Sequence, residues 1–146
     1  MQHLPHKLPA FADEIRTCLD ILADEGCQYV SDWVNDDQPY FMTVKGKKIV
    51  YLPYSYEIND SPQLYYRDRS IDEFETMIKE QFDVLYREGE QSARVMAICL
   101  HPYIIGVPHR IGGLDRALSY IGGHAGVWKA TGSEIVKAWK ESGATF

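Results

Sequence analysis

The chain has 146 residues, with 15 Lys and Arg against 21 Asp and Glu, a formal charge of −6. Apolar residues make up 45% and charged residues 25%, the balance of a single globular domain over 1–146 that can bury a core without disulfides or a structural metal. The acidic balance argues against nucleic acid or an anionic membrane as partner, and the longest apolar run, Val95 to Leu100, is too short to span a bilayer or drive export.

The N-terminal stretch carries His3 and His6 around Pro5, which reads as an unanchored lead-in rather than a metal pair. From Ala10 to Glu25, Phe11, Ile15, Cys18, Leu19 and Leu22 recur at helical spacing, and Gly26 stands where a helix ends. Cys27 to Val30 predicts a short buried strand that runs out into the polar stretch Ser31 to Pro39. Two β-prone runs, Tyr40–Val44 and Lys48–Leu52, flank Lys45-Gly46-Lys47 and predict a hairpin stopped by Pro53. The next stretch, Pro53 to Arg69, has no period and reads as a loop.

Ser70-Ile71-Asp72-Glu73 is a capping box, and Phe74, Met77, Ile78, Phe82, Leu85 and Tyr86 mark one helix face up to Gly89. Ala93 to Leu100 is too continuously apolar for a strand with one wet face and predicts a parallel strand covered on both sides. Leu114 to Ile121 predicts a helix and Gly126 to Lys129 a short strand. A second capping box, Thr131 to Glu134, opens a last helix through Trp139. Alternating strands and helices imply an α/β fold of parallel units, whose reactive groups gather beyond the strand ends. The odd set Cys18, Cys27 and Cys99, without a Cys-x-x-Cys pair, reads as reduced thiols buried in the core of a cytoplasmic protein.

Two polar clusters sit at predicted strand exits. Asp32, Asp36 and Asp37 surround Trp33, and close carboxylates either tune one another as catalytic groups do or satisfy backbone amides in turns. His101, at the mouth of the apolar run, is held by rigid scaffold and carries an imidazole, the side chain most often used as a general acid or base, or else is a satisfied strand-end histidine. His109 and Arg110 fit a clamp on something anionic or a surface turn. Tyr51, Tyr54 and Tyr56, with Asn59 and Asp60, suit a ring-binding cleft as well as they suit loop packing. No Walker loop, dinucleotide fingerprint, nucleophile elbow or His-Glu-x-x-His motif is present.

Four ordered motifs carry a family resemblance. They are Tyr29-x-x-Asp32-Trp33-x-x-Asp36-Asp37-x-Pro39-Tyr40, Leu52-Pro53-Tyr54-Ser55 with Asn59-Asp60, Gln81-Phe82-Asp83-x-Leu85-Tyr86-x-Glu88-Gly89, and Leu100-His101-Pro102-x-x-x-Gly106-x-Pro108-x-Arg110. With Val127 to Ile135 at the end, the chain resembles the polysaccharide deacetylase (NodB-like) superfamily, nearest its allantoinase and urate-catabolism branch. The resemblance implies the C-terminal part of a distorted (β/α) barrel with an inserted hairpin, hydrolysing a C–N bond in a sugar amide or cyclic ureide. It implies that His101 protonates the leaving amine, with a carboxylate among Asp32, Asp36 and Asp37 as its partner and Trp33, Tyr54, Asn59 and Arg110 near substrate.

The family's aspartate base and paired metal-binding histidines have no counterpart here, so no metal ligands are assigned. Zinc or another divalent metal is expected only if a partner supplies them. A part-barrel exposes sheet edges, so a homo-oligomer, or complementation by an N-terminal half, is expected. The rival readings are a non-catalytic binding module derived from such a hydrolase and a small independent α/β regulatory domain.

Overall fold

The computed structural model describes residues 11–143, with side chains from residue 17 onward. Helix α1 spans Phe11–Asp24, and Gly26, at φ 76°, turns the chain into the two-residue strand β1, Tyr29–Val30. Strands β2 (Tyr40–Val44) and β3 (Lys47–Tyr51) form the predicted antiparallel hairpin. Its turn requires positive φ at both central residues, which Lys45 (50°) and Gly46 (76°) adopt. The sheet order is β1-β3-β2, with β1 parallel to β3.

Alternation along β3 sorts its side chains onto two faces. Ile49 and Tyr51 pack with Leu19 and Ala23 of α1, while Val50 and Leu52 pack with Val136 of helix α5 (Gly132–Glu141). The small sheet is thus covered by one helix on each face. A third cluster joins helix α2 (Ile71–Glu88) to α4 (Pro108–Gly122) through Phe74, Ile78, Leu114 and Ala117, and draws in Ile104 and Ile105 of the short helix α3 (Pro102–Ile105). α2 and α4 approach so closely at Gly113 that a Cβ there would lie 2.3 Å from the Ile71 side chain.

Both capping boxes form. The Ser70 amide donates to Glu73 at 2.8 Å and the Thr131 amide to Glu134 at 2.7 Å, each answered by the reciprocal bond.

Five expectations need correction. The stretch Pro53 to Arg69 contains a π-helical turn, Ser61–Tyr66, opened by Pro62. Residues 93–100 form no strand but a single isolated parallel bridge, Asn59 to Cys99, and none of them is buried. The predicted helix at Leu114 begins six residues earlier, at Pro108, and α3 precedes it. Residues 126–129 form no strand and join no described sheet. Finally, Cys18 lies on the solvent face of α1 and Cys27 and Cys99 are half-buried; all three are free thiols. His3 and His6 lie outside the described residues. No described helix is long and apolar enough to cross a membrane.

Candidate active site

The site begins with a turn. After Tyr54 the chain reverses, and the Ser55 hydroxyl accepts the Ile58 amide at 2.9 Å while the Gln63 side chain donates to the Glu57 carbonyl at 2.9 Å. These bonds fix Asn59 and Asp60 at the entrance to the π-helical turn, a distortion often found at functional sites. Asn59 is buried. Its amide donates to the Tyr54 hydroxyl at 3.0 Å and its carbonyl oxygen accepts the Ser61 amide at 3.1 Å.

Asp60 is fully buried and meets His101, 41 residues away, with both carboxylate oxygens. Oδ2 accepts the His101 backbone amide at 2.8 Å and Oδ1 lies 2.6 Å from Nδ1. One carboxylate therefore fixes both the backbone and the ring of His101. With Nδ1–H donating to Asp60, Nε2 is left to face outward, and the side chain is 37% exposed. Pro102 begins α3 immediately after His101, whose carbonyl accepts the amides of Ile104 and Ile105, so the residue is anchored on both sides. The Tyr103 ring stands 5.6 Å from the imidazole, centroid to centroid.

Beside this pair, burial chiefly, followed by the Cys99 thiol, pushes the Tyr54 hydroxyl above its usual range; the Asn59 bond opposes the shift and the Asp32 charge adds to it. Tyr54 is consequently a protonated hydroxyl at neutral pH. Cys99 itself donates to the Ser55 carbonyl at 3.2 Å.

The carboxylate that the structure places on His101 is Asp60; Asp32, Asp36 and Asp37 make no bond to it. The loop they occupy does other work. The Asp36 carboxylate accepts the Gln38 amide in a local turn, and the Asp32 amide bonds the Tyr51 hydroxyl. The Asp37 carbonyl accepts the Val95 amide at 2.8 Å, and its carboxyl is raised by burial and by the neighbouring Asp36 charge. Trp33 lies tilted 5.9 Å from the Tyr51 ring. Arg110 donates to the Ile104 carbonyl at 3.1 Å and so closes the end of α3, and His109 is exposed. Of the residues expected near substrate, Tyr54 and Asn59 join the Asp60–His101 pair, whereas Arg110 has a structural bond and Trp33 packs on the sheet.

Asp60 stands in the Asn59-Asp60 motif that the resemblance rests on, but its carboxylate makes no helix-capping bond, so the helix start at Ser61-Pro62 gives no sign of its contact with His101. His124, just beyond the end of α4, packs among the rings of Phe82, Tyr86 and Tyr120 at 4.8–5.0 Å. Among the described residues, no three His, Cys, Asp or Glu side chains gather as metal ligands. His101 and Asp60, already bonded to each other, do not make such a set.

A Schizosaccharomyces pombe protein named "Putative polysaccharide deacetylase" is 35% identical over 120 residues, 75% of this chain and 38% of that one. A solved structure named as a probable polysaccharide deacetylase from Pseudomonas aeruginosa PAO1 superposes with a TM-score of 0.76 at 31% identity, over 86% of this chain and 43% of the other. The chain resembles the polysaccharide deacetylases. The Puue allantoinase superposes equally well, with a TM-score of 0.77 at 30% identity over 87% of this chain and 43% of the other. No family model matches the chain. The deacetylase-type fold is therefore present as α/β architecture over less than half the length of these relatives.

Proposed function

We propose that the chain carries the acid side of a C–N hydrolase site acting on an amide or cyclic ureide outside the peptide class. The observation that supports this most is the grip of the buried Asp60 carboxylate on both the backbone and ring of His101. Hydrolysis requires water to add to the carbonyl carbon and the leaving nitrogen to take a proton as the C–N bond breaks. In its doubly protonated form His101 gives the Nε2 proton to the leaving nitrogen and becomes the neutral ring whose Nδ1–H Asp60 accepts, and that bond fixes the direction of Nε2. Tyr54, kept protonated, donates toward the substrate's polar atoms, and Asn59 sets its orientation. The residues that activate the water are expected from outside this set, together with any metal, because the described side chains do not form a metal-ligand cluster.

The test is hydrolysis of N-acetylated sugar oligomers and of allantoin by the purified protein, with and without added Zn²⁺, in the parent and in His101→Ala. Loss of about 10²–10⁴-fold in turnover from a folded His101→Ala protein supports the acid role. Equal turnover in the two proteins overturns it. A folded parent that binds these compounds without turning them over supports the binding-module reading instead.

A further inference from the structure

Next to the imidazole stands a large side chain that the packing of the fold does not account for. Tyr103 is 75% exposed and takes no part in the core clusters of the described residues, although its neighbours Ile104 and Ile105 are buried between α2 and α4. Its ring contact is with His101, at 5.6 Å and an interplanar angle of 67°. Among the described residues its hydroxyl has no hydrogen-bond partner.

An exposed ring on a loose loop would mean little, but this one is carried by a turn tied down along its length. Pro102 fixes its own φ at the start of α3. The His101 carbonyl accepts the amides of Ile104 and Ile105, the Pro102 carbonyl accepts the Gly106 amide at 3.0 Å, and Arg110 holds the Ile104 carbonyl at 3.1 Å. The turn is wound so tightly at its end that a Cβ on Gly106 would lie 2.4 Å from the Pro102 carbonyl oxygen. The backbone under Tyr103 is therefore set relative to His101, which Asp60 in turn holds by amide and ring. A ring presented on fixed backbone loses little freedom on binding, and its apolar faces gain by being covered.

The distribution of exposed tyrosines points to the same place. Tyr56, Tyr65, Tyr66 and Tyr103 are each more than half exposed, and they lie on the turn after Tyr54, the π-helical turn and α3, the pieces that assemble the Asp60–His101 pair. Tyr65 and Tyr66 pack edge-on against each other at 5.3 Å, whereas Tyr103 meets the imidazole. His101 passes its proton to the leaving nitrogen, which then lies about 2.6–3.2 Å from Nε2. Whatever that nitrogen carries begins one bond further out, beside the ring that adjoins the imidazole. The acyl carbon that takes up water lies across the breaking bond.

We infer that Tyr103 selects the leaving side of the substrate: its face packs on a ring that carries or contains the leaving nitrogen, and its hydroxyl bonds polar groups on that ring. This assignment rests on the acid role of His101 proposed above and adds a substrate class to it, an amide whose nitrogen is attached to a ring or forms part of one, in preference to an open-chain amide. A sugar ring, with an apolar C–H face and a polar rim, and a flat ureide ring both present that chemistry to a tyrosine.

Binding tests the assignment without need of turnover. The intact chain is titrated by NMR with an N-acetylglucosamine oligomer, with allantoin and with N-methylacetamide, in the parent, Tyr103→Ala and Tyr103→Phe. In the parent at least one of the two ring compounds shifts the Tyr103 and His101 ring signals and binds about fivefold or more tightly than N-methylacetamide. Tyr103→Ala abolishes that preference, and Tyr103→Phe, which keeps the ring, retains it to within about threefold. The compound that loses more in Tyr103→Ala identifies the ring as sugar or ureide. Because Tyr103 is exposed, the three proteins share one denaturation midpoint, so a lost preference is not a lost fold.

An undiminished ring preference in Tyr103→Ala overturns the assignment, as does a parent that binds neither ring compound or binds N-methylacetamide as tightly. An equal loss of all three compounds in Tyr103→Ala overturns it too, since the residue then shapes the pocket without selecting. A ring preference carried by Tyr103 in a protein whose turnover is absent or indifferent to His101→Ala leaves the ring contact standing and removes the hydrolase reading. Turnover that requires His101 but keeps both kcat and KM for the ring compounds in Tyr103→Ala does the reverse.

Discussion

The two acidic regions of this protein behave differently. In the loop from Asp32 to Asp37, three carboxylates lie within six residues, and the bonds around them are local or structural: Asp36 to Gln38, the Asp32 amide to Tyr51, the Asp37 carbonyl to Val95. At Asp60 a single carboxylate, fully buried, makes two bonds to one residue 41 positions away. The first arrangement ties a loop to the sheet and to the 92–95 segment, where Gln38 donates to Ser92 and to the Ala93 carbonyl. The second holds an imidazole with one nitrogen turned outward. Density of charge along the chain is therefore a poor guide to chemistry. A buried acceptor facing a ring from another segment is what fixes a tautomer and a direction.

The strongest way to break this comparison is to exchange carboxylates in both regions. Asp60→Ala leaves the His101 amide and ring nitrogen without their acceptor, costing about 1–3 kcal/mol of stability in denaturant titration. In the active assembly, turnover falls by about 10²–10⁴-fold. Asp32→Asn, Asp36→Asn and Asp37→Asn each leave turnover within about threefold, a change of under about 1 kcal/mol in the barrier. If one of these abolishes turnover while Asp60→Ala spares it, the assignment of the carboxylate reverses. In Asp60→Asn, ¹⁵N chemical shifts of the His101 ring report whether the proton leaves Nδ1, a readout that a merely structural role would not move.

The next experiment asks how far the pair depends on the helical layer. Ile104 and Ile105, just beyond His101, pack into the cluster that joins α2 and α4. Gly113→Ala puts a Cβ into the Ile71 side chain and should cost about 1–3 kcal/mol, measured as a lowered denaturation midpoint. If the layer positions the pair, His101 resonances shift along with the loss of stability, while those of Asp32 and Asp36 do not.

Glu75 supplies a carboxylate that is structural beyond dispute. It is nearly buried in α2 and is bonded by Lys79 at 2.6 Å and by Arg116 of α4 at 2.7 Å. The Lys79 bond first, and then Arg116, hold its carboxyl below the usual range. A lowered carboxyl stabilises the fold above its ordinary pKa, and that contribution disappears as pH falls through the lowered value. Arg116→Ala should therefore lower stability near neutral pH, modestly because the arginine is half-exposed, and should move the acid loss of stability to higher pH. Unfolding followed across the acid range measures both effects.

What was legible in the sequence was whatever is decided within a few residues. The boxes at Ser70–Glu73 and Thr131–Glu134 and the Lys45-Gly46 turn are local devices, and all three form. The apolar run before His101 predicts a parallel strand covered on both sides, yet only one isolated parallel bridge forms, at Cys99, because composition does not reveal how far a run will pair. The start of α4 was hidden by Gly112 and Gly113, weak helix formers whose value here is the close approach to Ile71. His101 was identifiable from its place at the end of an apolar run. Its partner was not, because the Asp60 contact depends on a π-helical turn and a chain crossing that have no period to read.

The smallest expected effect sharpens the contrast at the other end. Burial first, and then the charge of Asp36, raise the Asp37 carboxyl above its ordinary value of 3.8, with Glu88 adding to the shift and Arg94 opposing it. A raised carboxyl makes the folded chain bind its proton more readily than the unfolded chain does, so stability falls as pH rises from the ordinary value through the raised one. Near neutral pH the ionised Asp37 is thus a small liability. Asp37→Asn should stabilise the protein by less than about 1 kcal/mol there, since the group is only half-buried, and the gain should vanish below the ordinary carboxylate range. Asp36→Asn should recover part of the same gain by removing the neighbouring charge. Urea titrations at neutral and acid pH measure the difference. A loss of stability in Asp37→Asn near neutral pH would mean that this carboxylate has a favourable partner, and the loop would then resemble the Asp60 site more closely than its bonds indicate.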